Sequence, residues 1–279
     1  MKEQPPITRS HEHEIEIDAP IEAVWKAITE AEEITNWFAE AARVTPGEGG
    51  TYWVSWGEGQ EGASRIDVWE PPRRLRTSHL PSQGGFDPEK GCSTPAEPET
   101  SIIVEYTLET RGGKTLLRLV HSGIPVTPEW DGFYDGTDRG WGMFFQGLRH
   151  YLENRPGLTR KTVMIMQPVK TTLEDAWNRL TGAAGLAAKG TLQNLASGSR
   201  YAVTTSNGDE FQGEVILNMP PKTITMTVES LDSALLSATF EEMGGATYFY
   251  MTLATYGWTP DRNEALRTRW TEWMQKVLP

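Results

Sequence analysis

One cysteine in 279 residues, Cys92, leaves no partner for an internal disulfide. A disulfide-stapled secreted scaffold is excluded, and a reducing cytoplasm is the expected compartment. The thiol sits in a Gly/Pro/Ser stretch with no histidine close in sequence, so nothing there marks it as an activated nucleophile. Long apolar runs are also missing, which excludes membrane insertion by a helix, and Met1 to Ser10 is too polar for a signal peptide. Positive charge is scarce: 26 Lys and Arg against 38 Asp and Glu give a net charge of −12. A general nucleic-acid binder would present a basic face, so that class is set aside. No Gly-x-Ser-x-Gly, His-Glu-x-x-His or Cys-x-x-Cys pattern occurs, and no cofactor is expected. His11 and His13 are spaced to share one strand face, but no third ligand is evident in sequence, so no metal is expected. Gly112-Gly113-Lys114-Thr115 imitates the end of a phosphate loop, yet it lies between two strand-like runs and reads as a hairpin turn.

What the chain does contain is a repeat. Ile15 and Ile17 alternate with Glu14 and Glu16, the period of a half-buried strand. Pro20 then opens a helix whose apolar stripe is Ile21, Val24, Trp25 and Ile28. The second half opens in the same way, with Val163 and Ile165, then Pro168, then Leu173 to Trp177. Ile66 to Leu75 lines up with Val215 to Ile224, including Pro71-Pro72 against Pro220-Pro221. Gly112-Gly113 is matched by Gly244-Gly245, and Leu116 to His121 by Tyr250 to Thr255. Each half closes on an amphipathic helix, through Trp141, Phe145, Leu148 and Leu152 and through Leu266, Trp270, Met274 and Leu278. Arg155-Pro156-Gly157 reads as the linker. The expected fold class is α+β: two domains, residues 11–154 and 161–279, each a curved antiparallel sheet wrapped around a long C-terminal helix.

The first half resembles the AHSA1-like (activator of Hsp90 ATPase homologue) branch of the START/Bet v 1-like, or SRPBCC, superfamily. The residues that carry this are Ala19 to Trp25, Ile34-Thr35-Asn36-Trp37-Phe38, Val68 to Leu75, and Gly140-Trp141 through Leu152. The second half is similar but divergent, with Ala183 to Ala188 where Trp37-Phe38 would stand. The resemblance implies a helix-grip fold with an internal cavity for apolar molecules, in a family where some members are cyclases or hydrolases.

Strand parity then selects the residues that face such an interior. Ile102, Val104, Tyr106 and Leu108 form one set, Leu117, Leu119 and His121 a second, Tyr52, Val54 and Trp56 a third, and Ile66 and Val68 a fourth. With Trp37 and the helix residues Trp141, Phe145 and Leu148, the expected ligand-binding set is Trp37, Tyr52, Trp56, Ile66, Val68, Val104, Tyr106, Leu119, His121, Trp141, Phe145 and Leu148. Two readings of this aromatic interior stand: a filled core, or a pocket. Seven of the 11 Trp lie in the first half, which is where a pocket would be. His121 is the inward polar residue that needs a partner, from a neighbour or from a ligand, with Tyr106 and Tyr134 as candidates for proton transfer. The second copy has Thr255 in its place. Leu80 to Thr100, rich in Pro and Gly, is either an excursion or a lid.

Function at this level is expected to be non-catalytic binding of an apolar or aromatic small molecule. The alternatives are a cyclase- or hydrolase-like enzyme using His121, and a protein-interaction module of co-chaperone type with a protein partner.

Overall fold

The computed structural model describes residues 7–57, 60–79, 101–243 and 246–279. The chain divides into two compact units, Met1–Gly157 and Leu158–Pro279.

In the first unit, alternation in β1 (Thr8–Ile17) leads through Asp18-Ala19-Pro20 into α1 (Ile21–Thr29). Extended Pro20 caps that helix, Glu22 sits in its first turn and Lys26 in its last, both complementing the dipole. Its apolar stripe places Val24 and Ile28 at no exposure at all, each burial stabilising the unit by about 1.5–3 kcal/mol. The short α2 (Ala31–Ile34) leads to a meander of β2 (Ala41–Val44), β3 (Thr51–Ser55), β4 (Glu61–Glu70), β5 (Arg74–His79), β6 (Ile103–Arg111) and β7 (Lys114–Pro125). Strand order in this curved sheet is β1-β7-β6-β5-β4-β3-β2, so the first strand pairs with the last. The helix α3 (Asp131–Asn154) then packs back on β1. Tyr151 anchors its C-terminal turn: the phenol donates to Glu33 Oε2 at 2.7 Å and accepts from Asn36 Nδ2 and the Gly157 amide.

The second unit repeats the plan. It comprises β8 (Arg160–Val169), α4 (Leu173–Thr181), β9 (Arg200–Thr204), β10 (Glu210–Met219), β11 (Thr223–Val228), β12 (Ala234–Met243), β13 (Ala246–Tyr256) and α5 (Pro260–Val277). Its order, β8-β13-β12-β11-β10-β9, is that of the first sheet without the outermost strand. A single bridge, Lys189 to Thr204, stands on the outer side of β9, where β2 flanks β3 in the first unit. The fold is therefore a duplicated helix-grip architecture, with two open antiparallel sheets, each against a long C-terminal helix.

Gly112 and Gly113 form the expected two-residue turn, with φ of +57° and +89° between Arg111 and Lys114, which face each other. It holds no phosphate-loop geometry. The parity assignment of Val68 is corrected. Ile66 lies opposite Thr77, but Val68 lies opposite Arg76, because Asp67 is an extra residue in the ladder. The bulge turns Val68 to the face of Arg76 and brings Trp69 opposite Leu75, where its ring meets Trp25 at 5.3 Å. The second unit slips at the matching place, between Val215 and Leu217. The segment Leu80 to Thr100, with Cys92 and the lid reading, and the Gly244-Gly245 turn lie outside the described residues.

Candidate functional site

The pairing of β1 with β7 builds the polar part of the site. His13 faces Leu119 and His11 faces His121 across the ladder, all on the inner face with Ile15, Ile17 and Leu117. The register slips directly beyond this pair, because Ser122 and Gly123 together answer the single residue Ser10. Gly123 has φ +82°, and a Cβ there would stand 2.1 Å from the Ser101 carbonyl oxygen, so only glycine fits. The slip ends the strict alternation and fixes the two imidazoles opposite each other, with ring centroids 5.0 Å apart.

From above, α3 brings one face down onto these histidines. Trp141 Nε1 donates to His121 Nδ1 at 3.1 Å, Thr137 Oγ1 lies 3.0 Å from His11 Nε2, and Asp138 Oδ1 lies 2.9 Å from His13 Nε2. Tyr134 stands edge-on to His11 at 5.3 Å, and Arg9 closes the end of the seam by pairing with Asp131 at 2.7 Å. Neither Tyr106 nor Tyr134, the partners considered for His121, bonds to it; the indole of Trp141 does. Burial lowers the His121 pKa to about 3, reinforced by nearby His11, His79 and His13. His11 is lowered to about 4 by burial, against the pull of Asp138. His79 is also held low by burial. Four of the five histidines in the chain thus meet in one region, and His121 is neutral at physiological pH.

Next to this seam lies an aromatic wall. Trp141 stacks on Phe38 at 5.4 Å and 14°, with Tyr106 edge-on at 6.0 Å and Phe145 at 6.4 Å. Trp37 stacks on Phe38 and ties its ring N–H to the Ala27 carbonyl at 2.8 Å. Trp56 is only half-buried and donates to the Phe38 carbonyl at 2.9 Å. Tyr52, Ile66, Leu119 and Leu148 are buried, while Val104, opposite His121, is half-buried. The structure therefore draws His121, Trp141, Tyr106 and Phe145 into direct contact. Trp37 and Trp56 join through Phe38, and Val68 turns away.

One polar group of the aromatic wall is buried with no hydrogen-bond partner among the described residues. The Tyr52 hydroxyl is completely buried and unpaired. Burial raises the Tyr52 and Tyr106 phenols well above their ordinary range, and Tyr106 is raised further by the neighbouring Tyr52. An orphaned buried hydroxyl costs about 1–3 kcal/mol, so such groups in native interiors are commonly answered by water or ligand. A buried aromatic interior of this kind is, in general terms, a small-molecule-binding interior.

The second unit shows what the fold needs without that chemistry. Thr255 occupies the place of His121, opposite Lys161 as His121 is opposite His11. Its hydroxyl is fully used between the Lys161 carbonyl and Asn263 Oδ1, both at 3.0 Å. Val163 stands where His13 does, and Asn263, three residues before Leu266, stands where Asp138 precedes Trp141. The interior is packed with Trp270, Phe240 and Phe249, all but unexposed. A shallow open depression of about 450 Å³, with Phe211, Val203 and Glu210 in its walls, lies on the surface of this unit.

Sequence reasoning missed Asp138 and Thr137. Their signal was present, since both lie on the helix face that also carries Trp141 and Phe145, but it required knowing that β1 lies beneath that face.

The architecture and the buried aromatic interior define a helix-grip protein of the START/Bet v 1-like class in tandem duplication. More closely, residues 18–153 match the model of the Activator of Hsp90 ATPase homolog 1-like protein family. The first unit is thus similar to the AHSA1-like family, and the second unit repeats its helix-grip architecture with a diverged sequence. CalU16 from Micromonospora echinospora is 25% identical over 53% of this chain and 78% of its own, with a TM-score of 0.39. DynU16, from the dynemicin biosynthetic locus, is 17% identical over 96% of each chain, with a TM-score of 0.43. The di-domain ARO/CYC BexL, from the BE-7585A biosynthetic pathway, is 17% identical over 97% of this chain and 96% of its own, also with a TM-score of 0.43. No curated protein matches the chain. Among the described residues no helix is long and apolar enough to cross a membrane.

Proposed function

We propose that the first unit binds an aromatic or apolar small molecule that carries a carbonyl oxygen, and acts on it in the manner of a cyclase or hydrolase, with His121 as a neutral hydrogen-bond donor. The observation that carries this reading is the bond from Trp141 Nε1 to His121 Nδ1. It occupies the Nδ1 lone pair, so the imidazole proton resides on Nε2. A neutral Nε2–H, held against aromatic rings and away from bulk water, is suited to stabilise charge developing on a carbonyl oxygen. That charge develops both in enolisation before ring closure and in attack on an ester. Tyr52, with a buried hydroxyl unanswered by the described residues, would orient a further oxygen of the same molecule. Aromatic walls supply the affinity, at roughly 25 cal/mol for each Å² of apolar area removed from water.

The test is a turnover screen of aromatic esters and linear polyketone thioesters with wild-type protein and His121→Phe. Turnover of one class by wild-type protein and its loss in a folded His121→Phe variant supports the reading. Tight binding with no turnover of any class reduces the function to carriage of the ligand. Neither binding nor turnover would overturn it.

A further inference from the structure

We infer that His11, His13 and Asp138 form a binding site for a divalent transition-metal ion of the zinc type at the β1–α3 seam. Three ligand atoms, one from each residue, lie within 4.8 Å of one another. Asp138 Oδ1 is 2.9 Å from His13 Nε2 and 3.9 Å from His11 Nδ1. Ligands at 2.0–2.1 Å around a tetrahedral ion stand about 3.4 Å apart, a value these two separations bracket. Two imidazoles and one carboxylate are borderline donors that suit Zn²⁺ and its neighbours rather than Ca²⁺ or Mg²⁺.

The independent observation is the state of His11. Its side chain is 4% exposed, and its Nδ1 is buried with no hydrogen-bond partner. The tautomer follows from Thr137. That hydroxyl has one proton, and it lies 2.8 Å from the Phe133 carbonyl, one turn back in the helix. Toward His11 Nε2, at 3.0 Å, the same oxygen must therefore accept, and Nε2 carries the imidazole proton. Nδ1 is left as a bare lone pair facing the carboxylate of Asp138, with no proton between them. Two electron-rich atoms opposed in a partly buried seam repel, and a cation between them turns the arrangement into an attractive one. Thr137 then holds His11 in the ligating orientation, as hydrogen-bonded partners of metal-bound histidines do.

The fold itself does not call for these residues. At the same seam the second unit has Lys161, Val163 and Asn263, and its Thr255 hydroxyl is satisfied within the protein. With three protein donors the ion keeps at least one position open, next to the aromatic interior, for water or a ligand oxygen. This inference is independent of the role given to His121.

The test is titration of the full-length, tag-free protein with Co²⁺ and with Zn²⁺ against a competing indicator. One ion per chain, visible Co²⁺ absorption of a low-symmetry site, and a rise in melting temperature on adding Zn²⁺ are expected. Binding is lost in His13→Ala and in Asp138→Asn, and falls about tenfold in Thr137→Val. Asp138→Asn keeps the shape of a half-exposed side chain, so its loss of metal reports ligation even if His13→Ala fails to fold. No binding by wild-type protein, or undiminished binding in Asp138→Asn, would overturn the assignment.

Discussion

Trp141 and His121 are joined by a hydrogen bond of 3.1 Å from the indole N–H to Nδ1, which ties the middle of α3 to the inner face of β7. Removing the donor leaves a buried acceptor with nothing to bond. Trp141→Phe is expected to lower stability by about 1–3 kcal/mol beyond the loss of ring area, as read by urea denaturation. It also frees the imidazole to change tautomer, and nitrogen-detected NMR of the His121 ring would show a mixture in place of a single Nε2–H form.

Tyr52 carries the opposite expectation. Its hydroxyl is buried and unpaired in the ligand-free protein, so Tyr52→Phe removes a desolvation cost and no bond. The variant is predicted to be as stable as wild type or more stable by up to about 1 kcal/mol, while losing affinity for a ligand that bonds to that hydroxyl. A destabilised Tyr52→Phe would mean that the phenol has a partner in solution.

Acid should weaken the first unit through its buried histidines, and His150 isolates the effect. Burial, with Arg155 nearby, lowers its pKa to about 4. The unfolded chain binds a proton at about pH 6.5, the folded protein only near 4, so between these values the unfolded state holds more protons. The contribution is present in full above pH 6.5 and is lost as pH falls toward 4. In His150→Phe the slope of stability against pH in that window should flatten by up to about 1.4 kcal/mol per pH unit. Denaturant melts at half-unit steps of pH would show it.

Gly123 should tolerate no side chain. A Cβ there would meet the Ser101 carbonyl oxygen at 2.1 Å, and the backbone is left-handed. Gly123→Ala is expected to cost on the order of 2–4 kcal/mol, whereas Gly112→Ala, in a turn with open space around it, costs about 1. Comparison of the two variants separates steric conflict from backbone preference.

Much of the fold was legible because its signals are local. Alternation at Ile15 and Ile17, the stripe from Ile21 to Ile28, and the repeated Pro-Pro turns each specify an element within a few residues, and their recurrence in order specifies the duplication. The bulge at Asp67 was not legible. It depends on what β5 offers as a partner, so Val68 was assigned inward when Trp69 is the residue that turns in. Strand β2 was missed because four residues, half of them exposed, carry little periodicity. The aromatic side of the site could be read from strand parity for Tyr52 and Tyr106 and from helical spacing for Trp141, since all three sit in regular stretches. The polar side could not. His11 and His13 reach Thr137 and Asp138 only because the first strand closes against the last under the final helix, a contact across 126 and 125 residues.

The most direct measurement is the NMR signal of the His121 Nε2–H during titration with an aromatic carbonyl ligand identified by Trp fluorescence. The account predicts that this proton moves downfield as a hydrogen bond to the ligand oxygen forms, with Nδ1 still bonded to Trp141. A saturated complex in which that signal is unmoved, or a ligand held equally well by His121→Phe, would contradict it.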